Sequence, residues 1–245
     1  MKNSVLFLTI SFFLLSICAV PTTNAQNADN ASLLVFTKTD GWRHKSIPAG
    51  VKALKEIGAD NGYAIDHTED ATVFNEQNLS QYDAVVFLNT TENILNEQQQ
   101  DAFEQYVTNG GGFVGIHAAS DTEYDWPWYN KLVGAYFNGH PEVQEATVRV
   151  VDQSHPSTQH LPKEWVRTDE WYNFKNIQDH LNVLAYLDES TYEGGTNGDN
   201  HPAAWYHETL GGRAFYTAGG HTSECYSNPM FRQHLLGGIQ YVLDE

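Results

Sequence analysis

The amino-acid sequence predicts an α/β fold in which helices cover both faces of a mostly parallel sheet. Three observations carry that expectation. Strand-like apolar runs alternate with helix-like amphipathic segments from Ser32 to Ile116. The clearest run, Tyr82–Leu88, holds five consecutive apolar residues, as a strand buried on both faces requires. Polar clusters rich in histidine follow several runs, and open α/β sheets bind ligands beyond the carboxyl ends of their strands.

The elements follow in order. Ser32–Thr37 is expected as the first strand. Ile47–Asn61 reads as a helix, with Val51, Leu54, Ile57 and Gly58 at helical spacing and Pro48 near its start, where proline is tolerated. Tyr63–His67 and Tyr82–Leu88 are the next strands. Asn96 is placed to cap a helix over Glu97–Thr108, whose Phe103, Tyr106 and Val107 share one face and whose end is marked by three glycines. Phe113–Ile116 is the fourth strand. Further strands are expected at Val143–Val151, Val183–Leu187, Ala203–His207 and Arg213–Thr217, and Pro229–Leu243 closes the chain as an amphipathic helix. The Gly- and Asn-rich segment Thr191–Asn200 reads as a surface loop.

The N-terminus has a different character. Lys2 precedes an apolar run from Val5 to Val20, and small residues stand at Thr23 and Ala25. That is the pattern of a secretory signal cleaved after Ala25. The run is short for a span of about 20 residues, and no basic stop-transfer cluster follows. Residues 1–25 are thus expected to be a signal peptide and residues 26–245 one domain, exported to the periplasm or beyond and free of the membrane. Cys225 would then be the only cysteine, which excludes an intramolecular disulfide. A net charge of −18 repels phosphate backbones and argues against nucleic acid as a partner. Six Trp and thirteen Tyr suit sugar rings as well as an ordinary core. Oligomeric state is left open by the sequence.

The candidate chemistry lies in the strand-end clusters. Asp40–His44 follows the first strand, Asn89–Glu92 the third, His117–Asp121 the fourth and Gly219–Glu224 the last. His44, His117 and His221 would converge there, with Glu170 joining from the central region. Two chemistries fit this set. Histidine and carboxylate could act as general acid and base on a sugar hydroxyl or on a carbon acidified by a keto group. Alternatively His44, His117 and His221 could bind a divalent metal such as zinc and leave a position open for catalysis. Each residue also has an ordinary structural reading: His117 as a helix cap, Glu170 as a strand-edge charge, Arg213 as one half of an ion pair. His155 and His201, each before proline, read as turn residues, and His207 and His234 as surface or packing residues.

Taken together and in order, Trp42-Arg43-His44, Gly111–Ser120, His155-Pro156, Asp169–Tyr172, His201-Pro202 with Trp205, and Gly211–His221 resemble the trehalose-utilisation, ThuA-like family. The resemblance covers essentially the whole chain after the signal. It implies a flavodoxin-like three-layer sandwich similar to class I glutamine amidotransferases, and a link to sugar metabolism. In amidotransferases a cysteine occupies a sharp strand-to-helix elbow. Here His117 stands at that place in Gly115–Ala119, and imidazole cannot replace a thiolate in thioester chemistry. Their late His and Glu correspond to His221 and Glu224, with one residue more between them; Cys225 reads as a bystander. The candidate catalytic residues are therefore His117, His221, Glu170 and Glu224, and the candidate substrate-binding residues Trp42, Arg43, His44, Asp121, Trp171 and Arg213. The functional expectation is an exported carbohydrate-processing enzyme (a lyase, hydrolase or isomerase) that lacks a cysteine nucleophile. The alternative is a noncatalytic sugar-binding protein on the same scaffold.

Overall fold

The computed structural model describes residues 31–244; the signal-like segment 1–25 lies outside the described residues. The first half alternates as β1 (Ser32–Phe36), α1 (Ile47–Asn61), β2 (Ala64–Thr68), α2 (Glu76–Leu79), β3 (Ala84–Leu88), α3 (Glu97–Thr108) and β4 (Gly112–Ile116). The second half runs α4 (Pro127–Val133), β5 (Tyr136–Phe137), β6 (Gln144–Val150), β7 (Glu164–Asp169), β8 (Phe174–Lys175), β9 (Asn182–Leu187), β10 (Pro202–His207), β11 (Ala214–Thr217) and α5 (Pro229–Val242). Of these, α4, β7 and the short β5–β8 pair have no counterpart among the sequence expectations.

Nine strands form one sheet in the order β2-β1-β3-β4-β11-β10-β9-β6-β7, and β5 pairs with β8 apart from it. The pairs from β2 to β11 are parallel, whereas those from β11 to β7 are antiparallel. The sheet is therefore mixed, which corrects the expectation of a mostly parallel one. Parallel neighbours need a crossover, usually a helix, and among the described residues no α-helix lies between β5 and β11. Following the pairings across the sheet, β7 points the same way as β4 and β11. The carboxyl ends of β1, β4, β11 and β7 thus share one edge.

Side-chain alternation builds the three layers. Leu33 and Val35 of β1 join one core with Leu54 and Ile57 of α1 and Phe231 and Leu235 of α5. Leu34 and Phe36 face the other core, with Phe103 of α3 and Tyr129 and Leu132 of α4. The helix ends follow local rules. Asn96 and Gln99 form a reciprocal capping box at α3. At the end of α4, Trp205 Nε1 donates to Val133 O and His207 Nε2 to Leu132 O, so two carbonyls that a helix leaves open are satisfied from β10.

Several buried histidines are structural. His234 donates through Nδ1 to Ser157 O and accepts from Thr217 at Nε2, which fixes a neutral ring in the core. Burial pulls His234 down to about 3, and His155 and His207 to about 4. All three bind a proton more readily unfolded than folded. The stability they permit is present above pH 6.5 and is lost as pH falls toward their folded values. Urea unfolding at pH 7 and pH 5 should show a clear loss at the lower pH, of up to about 1.4 kcal/mol per pH unit for each ring. A flat profile would contradict their neutral burial. Packing gives a second expectation. A Cβ at Gly237 would lie 2.3 Å from the carbonyl carbon and oxygen of Pro156. Alanine improves a helix interior by about 1 kcal/mol, but overpacking against backbone costs about 1–3 kcal/mol. Gly237→Ala should therefore lower the unfolding midpoint.

Candidate functional site

His44, His117, Glu170 and His221 form one group at the shared sheet edge, with one ligand atom from each lying within 4.8 Å of the others. His117 ends β4 at the turn that follows it, with φ +49°, a left-handed conformation uncommon for a side-chain-bearing residue. Its carbonyl is held by the Tyr216 hydroxyl at 2.7 Å. Its Nδ1–H donates to Ala218 O at 2.8 Å. That bond places a hydrogen on Nδ1 and turns Nε2 toward the group. Nε2 lies 3.3 Å from His221 Nδ1 and 3.5 Å from Glu170 Oε2.

His221 follows Gly219-Gly220 beyond β11. Gly220 has φ +122°, and a Cβ there would meet the Tyr226 hydroxyl at 2.7 Å. Its carbonyl accepts from Ser46, Asn89 and Tyr226, so three segments pin the turn. The His221 ring places Nδ1 2.9 Å from Glu170 Oε2. Burial pulls this imidazole down, but the Glu170 hydrogen bond and the charges of Glu170 and Asp169 outweigh it and hold His221 above its ordinary value. For Glu170, burial pushes up, yet hydrogen bonds and charge from His117 and His221 carry it well below the usual carboxylate range. His44 lies just before α1. Burial, then the nearby rings of His117 and His221, pulls it down to about 3. Its Nε2 is 3.4 Å from the Tyr172 hydroxyl, while its Nδ1 is buried without a partner.

Sequence reasoning did not single out the group that holds this arrangement. Asp169, wholly buried at the end of β7, accepts at Oδ2 from Arg167 (2.7 Å), Gly220 N (2.9 Å) and the Cys225 thiol (3.2 Å). At Oδ1 it accepts from Glu170 N (3.0 Å) and His221 N (3.1 Å). Three strands separate β7 from β11 in the sheet, so these bonds require the sheet to coil back on itself. His140 was also missed. Its Nδ1 lies 3.1 Å from Glu170 Oε1, the oxygen turned away from His117 and His221, and its side chain is 43% exposed. Tyr172 packs on His117 with ring centroids 4.1 Å apart. Both signals were in the sequence: Asp169 and Tyr172 flank Glu170 in Asp-Glu-Trp-Tyr, and His140 sits between a glycine and a proline.

The other candidate residues are dispersed. Asp121 lines an open cleft of about 620 Å³ with Glu92, Tyr124, Phe137, Gly139, Lys175 and others. The cleft adjoins the histidine group, since Gly139 precedes His140 and Phe137 packs on Tyr172 at 4.3 Å. Trp42 is 68% exposed, and its carbonyl accepts from the Thr91 hydroxyl. Arg43 pairs with Glu69 on the surface. Three candidates stay away from the histidine group. Trp171 is buried and donates its indole N–H to Gln144 O, so no ligand can stack on it. Glu224 is exposed and lines a separate depression with Val166 and Asn228. Arg213 pairs with Asp244 and Glu208 and lies over Tyr241, just before β11, at the far edge of the sheet. Cys225 belongs to the Asp169 network, where burial pushes its thiol up; no thiol stands at the elbow.

The fold and the site define the class: an α/β three-layer sandwich with a mixed sheet and a His/Glu group where the strands end. The trehalose-utilisation (ThuA) family model matches residues 32–242, and the chain belongs to that family. No curated protein matches significantly. A ThuA-like protein of Bacteroides uniformis is similar in structure, with a TM-score of 0.74 and 25% identity over 89% of this chain and 94% of that one. A ThuA-like protein of Parabacteroides merdae follows at TM-score 0.70 and 20% identity, over 87% and 90%. A β-galactosidase of Bacillus circulans shares the fold at TM-score 0.56 and 12% identity, over 87% of this chain and 30% of that one.

Removing the buried carboxylate tests the frame. Asp169→Ala would leave Arg167 charged and unpaired in the interior and free the amides of Gly220 and His221. A loss of about 3–5 kcal/mol in unfolding free energy is expected, measured by denaturant titration. Glu224→Ala, which removes an exposed side chain, should stay within about 0.5 kcal/mol of the parent.

Proposed function

We propose that the protein is an exported carbohydrate-processing enzyme whose His44, His117, Glu170 and His221 bind one divalent cation, zinc by preference, beside a sugar-binding cleft. The observation that carries the reading is the His117 tautomer. With Nδ1–H given to Ala218, the lone pair of Nε2 faces a carboxylate oxygen 3.5 Å away. A proton or a metal cation between them makes that contact favourable, and a cation could be shared by all four residues of the group. The separations of 2.9, 3.3 and 3.5 Å within the group bracket the edge of about 3.4 Å that tetrahedral zinc imposes on nitrogen and oxygen ligands. The buried His44 Nδ1 adds a ring nitrogen to which the protein supplies no hydrogen-bond partner.

A bound cation of this kind polarises a carbonyl or lowers the pKa of a coordinated water. The chain's own residues do the rest. Asp169 fixes the backbone of Glu170 and His221, and Ala218 O orients His117, as second-sphere partners do for metal ligands. His140 links Glu170 Oε1 to solvent at the cleft and can pass a proton between them. Tyr172 walls the group off from the core. Family membership supports a sugar-type substrate. The signal-like N-terminus supports export, and among the described residues no helix is long and apolar enough to cross a membrane.

Calorimetric titration of the metal-stripped protein with Zn²⁺ should give one site per chain. Glu170→Gln and His221→Ala should each weaken it at least about 10-fold, while Arg213→Ala should not. Zinc affinity indifferent to both site substitutions would sink the metal assignment. Turnover, once assayed on sugars or keto-sugars, should be lost in His117→Ala; full activity there would refute the catalytic reading.

A further inference from the structure

The cleft beside the histidine group has a chemistry of its own. Its lining brings together two carboxylates, Glu92 and Asp121, the phenol of Tyr124, the ring of Phe137, the amide of Asn176 and one cation, Lys175. Its volume of about 620 Å³ lies inside the range of roughly 300–1,000 Å³ usual for small-molecule sites. Two side-chain-bearing residues with left-handed backbone border it, Glu92 (φ +59°) and Asn176 (φ +51°). Asp121 accepts from the Tyr124 hydroxyl, and the Lys175 ammonium lies 4.8 Å from the centre of the Tyr124 ring. Asp121, Tyr124 and Lys175 are thus held together before any ligand arrives. Carboxylates and amides around an aromatic ring match the alternating hydroxyls and C–H face of a sugar. Two carboxylates against one ammonium oppose a ligand that is itself an anion.

One neighbouring feature extends the site. A Cβ on Gly41 would lie 2.6 Å from Glu92 Cγ, so the loop after β1 runs along the cleft rim at that point. The next residue is Trp42, the sole aromatic among the large exposed hydrophobic residues of the described chain, residues 31–244. Its backbone is tied to Thr91, the residue before Glu92, by the Thr91 hydroxyl at 3.1 Å. An indole held at a rim and open to water gives a stacking surface for a second sugar unit.

From this geometry we infer that the cleft takes one ring of an electrically neutral glycan, with Asp121 and Glu92 accepting from its hydroxyls and Trp42 stacking the adjoining unit. This rests on the carbohydrate reading above but not on the metal. Gly139, at the cleft wall, leads directly to His140, so the bound ring lies next to the Glu170 group. The site is therefore built for at least a disaccharide and selects against uronic acids.

Binding can be read without turnover, by saturation-transfer NMR and calorimetry on the full domain. The probes are neutral gluco-, galacto- and manno-trisaccharides, their monosaccharide methyl glycosides, and trigalacturonate. At least one neutral trisaccharide should bind, more tightly than its monosaccharide and at least about 10-fold more tightly than trigalacturonate. Trp42→Ala should weaken the trisaccharide by about 3- to 10-fold and leave the monosaccharide unchanged. Asp121→Asn should weaken both at least about 10-fold with an unaltered unfolding midpoint. Preference for trigalacturonate, an effect of Trp42→Ala on both lengths alike, or no binding by any neutral probe overturns the inference. Zinc titration of the same samples separates the failures: an intact zinc site with no glycan binding removes this cleft assignment alone, whereas loss of both removes the functional reading as well.

Discussion

The buried carboxylate of Asp169 is the constraint on which the rest of the site depends. It accepts two donors at Oδ1 and three at Oδ2, and Arg167 neutralises it. Arg167 is itself sandwiched by Trp165 and Phe231, with its guanidinium 4.6 and 4.4 Å from their ring centres. A charge pair this deep is a poor source of net stability, because desolvation cancels most of its attraction. Its value is geometric. It joins the far edge of the sheet to the turn after β11, and in doing so sets Glu170 against His221. The adjacent ionised groups then perturb one another. Glu170 is driven down by the two rings it faces, and His221 is held up by the carboxylate it serves.

Much of this was legible in the residues, and the exceptions have physical causes. The first four strands, α1, α3 and α5 follow from hydrophobic spacing and caps; for β1, β3 and β4 burial on both faces leaves little freedom of pattern. His117 and His221 were marked by the glycines around them, and Glu170 by its aromatic neighbours. The direction of the second-half strands was missed, although the absence of helical segments between Val143 and Thr217 carried that information. β7 was missed because its residues, Glu-Trp-Val-Arg-Thr-Asp, alternate at an exposed edge, where Val166 faces solvent. Arg213 and Trp171 show the limit of residue type as a guide. An arginine entering a strand and a tryptophan beside a glutamate look alike in sequence whether they serve a ligand or an ion pair, and only the path of the chain decides. Asp169 was hidden for the opposite reason. Its partners are backbone amides and a side chain brought together by the coiling of the sheet, which no local pattern records.

Histidine serves two purposes in this molecule, and the surroundings separate them. His207 and His234 have both ring nitrogens matched to protein partners, so they are finished structures. His117 has one nitrogen satisfied by Ala218, while the other faces only groups that are themselves rich in lone pairs. The contrast depends on what each ring still lacks and not on burial, which is nearly complete for all three. The strained φ of His117 belongs to the same account: the turn that bends the chain off β4 also aims Nε2 into the group.

The members of that group are numbered 44, 117, 170 and 221, so they are scattered over almost the whole described chain. Synthesis from the N-terminus therefore yields no partial version of the site. Until the turn carrying His221 has emerged, the longest stretch available offers three of the four side chains and lacks the His221 amide and Cys225 thiol that complete the Asp169 network. A chain truncated anywhere before residue 221 lacks one member of the group, however much of its sheet it retains.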